Sequence, residues 1–232
     1  MIRAVQVVVP ARDEERLLPR CLESLEVACA ELRRSRPGLR VDVTVVLDRC
    51  VDRSAEVVGH AGVRRVTVDH GNVGATRHAG IREALETAAL MDVGADDLWI
   101  ACTDADTVVP AHWLTGQVEL SEVHDVVIGT VEPLGLTDTS VLAEWRARHH
   151  LIEGHPHVHG ANLGLRGSAY LEVGGFRPME SDEDVDLVRR IRAHSARWVA
   201  TDTVRVASSA RRTGRCRAGF ADYLASLEDE VG

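Results

Sequence analysis

The chain has 232 residues, 45% hydrophobic and 27% charged, enough for one sizeable α/β core without a second. Its net charge of -9 excludes a general nucleic-acid binder, which needs a basic face. All 27 residues counted as Lys or Arg are Arg, which removes a P-loop lysine, a Schiff-base lysine and a lysine general base together.

Residues 1–4 run directly into a Val-rich segment, with neither the apolar stretch nor the cleavage site of a secretory leader. No apolar run approaches the ~20 residues of a membrane span. A cytoplasmic protein without a transmembrane segment is expected. Residues 5–9 read as a buried strand. Residues 10–15 form a polar turn, and Pro19 suits the first turn of a helix whose Leu22, Leu25, Cys29 and Leu32 share one face. Pro37 and Gly38 end it. Residues 41–47 and 63–68 read as the next strands, separated by a helix that Asp52 or Ser54 can cap. His70 to Gly74 is a turn into a helix carrying Ile81, Leu85 and Ala88. Residues 98–102 are a fourth strand, Pro110 is placed to open another helix, and residues 126–128 are a fifth strand.

This alternation predicts an α/β fold: a doubly wound, mainly parallel sheet with helices on both faces, in a single domain spanning 1–232. Ligands of such sheets bind at the carboxyl ends of the strands. Residues 1–107 and 108–232 would form the domain's two functional halves. In the latter, a helix at 141–152, a His-rich loop, a strand at 160–166, an acidic helix opening near Ser181, a strand at 204–207 and a closing helix are expected. The five cysteines (Cys21, Cys29, Cys50, Cys102, Cys216) are scattered without CxxC spacing, which argues against a disulfide framework or a zinc ribbon.

Acidic residues gather at three predicted strand ends: Asp13 and Glu14, Asp48, then Asp104 and Asp106. Carboxylates on one rim repel unless a divalent metal or arginines neutralise them. In Thr103-Asp104-Ala105-Asp106-Thr107, two acids two residues apart can converge on one hard cation, Mn²⁺ or Mg²⁺, that shares its shell with phosphate oxygens. The same residues also suit a capped strand-end turn, or the DxDxT nucleophile of haloacid-dehalogenase-like phosphatases. Those enzymes usually carry the motif on their first strand and need a downstream base, most often Lys.

In Glu180-Ser181-Asp182-Glu183-Asp184-Val185-Asp186, a carboxylate can act as general base. Ser181 and Asp184 also stand at the spacing of a capping box. Arg211, Arg212, Arg215 and Arg217 can clamp a diphosphate or form a solvated basic loop. His149, His150, His155, His157 and His159 lack metal-site spacing. They suit a polar loop on the acceptor side, with His159 best placed to reach a ligand.

In order along the chain, these segments resemble family 2 glycosyltransferases of the GT-A fold. VVVPARDEERLL (7–18) is similar to the family's first strand and P-x-x-N-E turn, with Asp13 in place of Asn. VVLDRCVDRS (45–54) is similar to its D-D-G-S-x-D segment; Asp48 and Asp52 match, while Arg49, Cys50 and Val51 do not. GNVGATRHAG (71–80) resembles the stretch ending A-R-N-x-G, with His78 replacing Asn. WIACTDADTVVP resembles the strand with its DxD, and HGANLGLRGSAYLEVGGF followed by DEDVDL resembles the acceptor segment and E-D base motif.

The resemblance implies a metal-dependent, inverting transfer of a sugar, hexosyl by expectation, from a nucleoside-diphosphate sugar to an unknown acceptor hydroxyl. Pro10, Ala11, Arg12, Glu14 and Asp48 would hold base and ribose. Arg77, Asp104, Ala105 and Asp106 would hold the diphosphate, with Asp106 on Mn²⁺ or Mg²⁺. Arg211, Arg212 and Arg215 would be further diphosphate contacts. His159, Gly160, Ala161, Asn162 and Glu183 would face the acceptor, and Asp184 would be the base. A nucleotidyltransferase wants a Gly-rich basic first loop, which 10–15 is not. A non-catalytic sugar-nucleotide-binding domain would bind donor without turnover. Donor base, sugar, acceptor, further metal ligands and a homodimer are left open.

Overall fold

The computed structural model describes residues 1–179, 181–194 and 197–211. The first half is β1 (Ala4–Ala11), α1 (Leu18–Ser35), β2 (Arg40–Asp48), α2 (Ser54–Ala61), β3 (Arg64–Val68), α3 (Val73–Leu90) and β4 (Leu98–Cys102). A two-residue strand β5 (Thr107–Val108), α4 (Trp113–Leu120), β6 (Val126–Leu134) and α5 (Thr139–Arg148) follow. The chain continues through a 3₁₀ turn at Gly160–Asn162 into β7 (Leu163–Arg166), α6 (Gly167–Glu172), α7 (Glu183–His194) and β8 (Trp198–Ser209). No helix among the described residues is long and apolar enough to cross a membrane.

One eight-stranded sheet runs in the order β3-β2-β1-β4-β7-β6-β8-β5. From β3 to β4 it is parallel throughout, as the βαβ alternation predicts. Beyond β4 it is mixed: β7 is antiparallel to both β4 and β6, β8 is parallel to β6, and β5 is antiparallel to β8. The expectation of a mainly parallel sheet therefore holds for the first half and gives way to a mixed one in the second.

Every residue of β1 is buried, because both its faces are covered. Val5, Val7 and Val9 pack with α1, α2 and α4 through residues such as Leu25, Val58 and Trp113. Ala4 and Val8 pack on the other face with α3, α6 and α7 through Ile81, Tyr170 and Leu187. Leu18, Leu25 and Leu32 are almost completely buried. At ~1.5–3 kcal/mol each, that burial outweighs propensity differences of under ~1 kcal/mol among ordinary helix residues. α3 lies close to the sheet because Gly80 has no side chain. A Cβ there would stand 2.6 Å from both Val46 Cγ2 and Val8 Cγ1.

Several local expectations change. The N-cap position of α2 is Arg53; Asp52 Oδ1 accepts from Ser54 N at the helix start, while Ser54 Oγ accepts from Glu14 N and Asp52 Oδ2 from Glu15 N. Pro110 closes a turn onto Trp113 N, where α4 begins. α5 stops at Arg148, and Asp138 caps it by accepting from Ser140 N and Val141 N. β6 and β8 extend well past the three and four residues expected of them, while β7 is shorter than 160–166. Glu180, Arg212, Arg215, Arg217, Cys216 and the expected closing helix lie outside the described residues. Cys21, Cys29, Cys50 and Cys102 are free thiols.

Candidate active site

The carboxyl ends of β1, β2 and β4 form a rim that meets the N-terminal turns of α3 and α7, the 3₁₀ turn before β7 and the chain just past β8. At its centre Arg77, one turn into α3, is buried with its side chain 4% exposed. One terminal nitrogen donates to Asp104 Oδ1 at 2.6 Å and the other donates to Glu183 Oε1. The Phe176 ring lies 5.9 Å from the guanidinium carbon. Burial opposes the charge of Arg77, but Asp104, Glu183 and Asp184 more than offset it and hold its pKa above the usual guanidinium range.

Gly160 lies directly against this guanidinium, since a Cβ there would stand 2.5 Å from Arg77 Cζ. Its backbone N–H donates to Asp184 Oδ2 at 2.6 Å, and Val185 N–H donates to Asp184 Oδ1 at 2.8 Å. Burial raises the carboxyl pKa of both Glu183 and Asp184, with Arg77 pulling each back. Helix α7 starts at Glu183, so the Ser181–Asp184 capping box does not form. Ser181 Oγ donates to Asp182 Oδ2 instead.

A second arginine holds the other acids. Arg211, two residues beyond β8, reaches Glu14 Oε1 at 2.7 Å and Asp106 Oδ2 at 3.1 Å. Ser208 Oγ donates to Asp106 Oδ1 at 3.3 Å. Burial, then the neighbouring Asp104, raise the Asp106 carboxyl pKa, and Arg211 lowers it. The β5–β8 pairing makes these contacts, setting Thr107 opposite Ser208.

The resemblance put Asp48 on the donor, but its carboxylate is occupied within the chain. Oδ1 accepts from His70 N and Gly71 N, and Oδ2 from Asn72 N and Thr76 Oγ1. Burial works against the charge, and these four hydrogen bonds outweigh it, holding the pKa below the usual range. Asp13, at φ 52°, uses Oδ1 to accept from Val51 N and Asp52 N and so clasps the β2–α2 loop. Pro10, Ala11 and Ala105 are buried, whereas Arg12 is exposed at the rim.

Asn162, expected to face the acceptor, serves in this structure as an internal brace. It is 1% exposed, donates to Thr130 O and Val204 O, and accepts from Trp113 Nε1. Ala161 is buried beside it. The histidines form a ring stack. Trp145 and His149 lie 4.6 Å apart, His149 and His157 4.7 Å, and His157 and His159 6.2 Å. Burial, reinforced by neighbouring His157, His149 and His155, pushes the His159 pKa down to about 3.

Asp104, Asp106 and Glu14 offer the hard oxygens that Mn²⁺ or Mg²⁺ prefers. The cation they meet in this structure is guanidinium, from Arg77 or Arg211. As hard oxygen ligands these acids suit such a cation, although the three are not gathered within ligand reach of one another in this structure. Among the described residues, the group of three ligand side chains within mutual reach is Asp13, Cys50 and Asp52, which does not include the DxD. Sequence reasoning missed Ser208 and Thr76, and it gave Gly160 an acceptor contact rather than the N–H bond to Asp184. Their roles come from pairings up to 102 residues apart.

The sequence model of Glycosyl transferase family 2 matches residues 6–160. A 74-residue stretch, 32% of this chain, is 34% identical to 17% of the 4,4'-diaponeurosporenoate glycosyltransferase of Staphylococcus haemolyticus. The fold is similar to that of S. aureus TarS 1-349 in complex with UDP-GlcNAc. That match has TM-score 0.66 and 14% identity, over 100% of this chain and 65% of that one. It is also similar to the mannosyltransferase PcManGT of Pyrobaculum calidifontis in complex with GDP-Man and Mn²⁺. Here the TM-score is 0.59 and the identity 21%, over 91% of this chain and 58% of that one. The chain thus spans less than two thirds of these relatives. At such identities the structures establish the GT-A fold, as the resemblance implied.

Proposed function

The chain belongs to Glycosyl transferase family 2, and on that premise we propose that it transfers a hexose from a nucleoside-diphosphate sugar to an acceptor hydroxyl with inversion. Membership makes it a glycosyltransferase and sets aside the phosphatase and nucleotidyltransferase readings. The observation that carries the finer reading is the Arg77 bridge between Asp104, on the DxD, and Glu183, beside Asp184. It fixes a donor-side acid and a candidate base relative to one another across the rim.

In this reading Asp184 accepts the proton of the acceptor hydroxyl as that oxygen attacks the anomeric carbon, and the nucleoside diphosphate leaves. The Gly160 N–H holds the carboxylate in place, and its raised pKa makes it a stronger base than an exposed aspartate. Asp106, with Asp104 and Glu14 nearby, would hold Mn²⁺ or Mg²⁺. When bound, such an ion supplies positive charge for the departing phosphates. Arg77 acts as a positioning residue, because both its terminal nitrogens are committed to carboxylates. Arg12 is exposed at the rim, where it would be available to the donor.

A panel of UDP-, GDP- and other nucleotide-linked sugars, with and without Mn²⁺, tests this reading. Donor binding and release of nucleoside diphosphate in the wild type, with release lost and binding kept in Asp184→Asn, is expected. Donor binding without turnover under every condition would instead indicate a sugar-nucleotide-binding domain.

A further inference from the structure

We propose that Arg211 is the resident counter-cation of the donor-side acids, competing with the divalent ion for Asp106 and withdrawing when metal and donor bind. This rests on the donor-site reading above and goes beyond it in naming what the metal must displace.

The backbone leading up to Arg211 is held by two hydrogen bonds. Ser209 N donates to Asp106 O at 3.1 Å and Ala210 N donates to Leu134 O at 3.0 Å. The side chain is therefore delivered to the rim by β8 and is one quarter exposed. It makes close contacts to two carboxylates, one in the segment after β1 and one in the turn after β4, each more buried than itself. Glu14 is 6% exposed at its side chain and Asp106 13%. Those acids follow the ends of β1 and β4, and the Arg211 guanidinium bridges them as a neutralising cation.

A divalent ion on Asp106 would stand within a few ångströms of the guanidinium that lies 3.1 Å from Oδ2, and two cations so close repel, so each weakens the other's hold on this carboxylate. Freed from Asp106, the guanidinium stays within a side chain's length of the diphosphate that the metal would bring. Its planar fork suits phosphate oxygens as well as carboxylates. Arg211 then exchanges one set of oxygens for the other, so that metal binding without nucleotide is weak and metal binding with nucleotide is strong.

The test is Mn²⁺ binding by the whole chain, read from loss of the free-ion electron paramagnetic resonance signal, with and without UDP or GDP. Relative to wild type, Arg211→Ala should bind Mn²⁺ alone about fivefold more tightly, the size of one partly exposed ion pair. It should also show a smaller gain on adding nucleotide. Arg211→Gln, which keeps the bulk and polar contacts, should behave the same way and guards against a folding defect. Adding Asp106→Ala to either variant should abolish the gain. Equal Mn²⁺ affinity in wild type and both Arg211 variants, with Asp106→Ala still abolishing binding, overturns the competition and leaves the metal reading standing. Mn²⁺ binding indifferent to Asp106 in every background overturns both.

Discussion

Arg77 and Asp104 are joined by a 2.6 Å ion pair in which the arginine is almost wholly buried and the aspartate is one third exposed. With the second bond of Arg77 to Glu183, this pair ties the end of β4 to the start of α7. Arg77→Lys keeps the charge but cannot span both carboxylates with a planar fork. Turnover is expected to fall about 10²-fold or more as the geometry loosens. Arg77→Ala leaves Glu183 buried and unpaired and should cost ~3–5 kcal/mol of stability. Urea denaturation beside steady-state kinetics separates the two variants; a fully active lysine variant would refute the positioning role.

Gly160→Ala is a steric test of the same junction. The new Cβ would fall 2.5 Å from Arg77 Cζ and 2.6 Å from both its terminal nitrogens. The guanidinium must shift, at a cost of ~1–3 kcal/mol for overpacking a filled site. Reduced stability and a raised activation barrier are expected together. Unchanged melting and turnover would mean that Gly160 approaches nothing that matters for the reaction.

The first four strands and their helices are legible in the sequence because each is encoded locally: apolar strands between helices with an apolar stripe, broken by Gly and Pro. Asp104 and Asp106 can be found for the same reason, as polar residues that stop a buried strand. β5 could not be found this way. It has two residues, and its partners Ala207 and Ser208 lie a hundred residues on. Arg211 was visible as a basic residue, but its pairing with Glu14 depends on that same long-range register. Asp48 shows another limit, because a carboxylate at a strand end reads alike whether it binds a ligand or its own next turn. Asn162 reads as a polar residue beside a glycine, and only the packing of Trp113 against it reveals a brace.

Asp184 predicts the acid limb of the rate profile. A general base works only when deprotonated, and burial raises this carboxyl above the ordinary aspartate range. Activity should therefore fall as pH drops, at a pH higher than a solvent-exposed aspartate would give. Asp184→Asn is expected to lose 10²- to 10⁴-fold in turnover, on the order of a positioned base, and to lose that limb. Measurement of kcat/KM between pH 4 and pH 8 in both proteins checks this. An unchanged limb in the asparagine variant would assign it to another group.

His159 predicts how stability responds to acid. Its folded-state pKa is pushed down to about 3 from an ordinary 6.5, and burial likewise lowers those of His149 and His157 in the same ring stack. Below pH 6.5 the unfolded chain takes up protons at these rings while the folded chain does not, so stability falls as pH drops from about 6.5 toward 3. The raised carboxyl pKa values of Asp106, Glu183 and Asp184 act in the opposite sense, since their protonation favours the folded state. Comparison with His159→Gln isolates the ring. That variant should lose less melting temperature between pH 7 and pH 5 than the wild type, even if its Tm at pH 7 is lower. Parallel Tm curves for the two proteins would show that His159 is protonated in the folded state as readily as in the unfolded one.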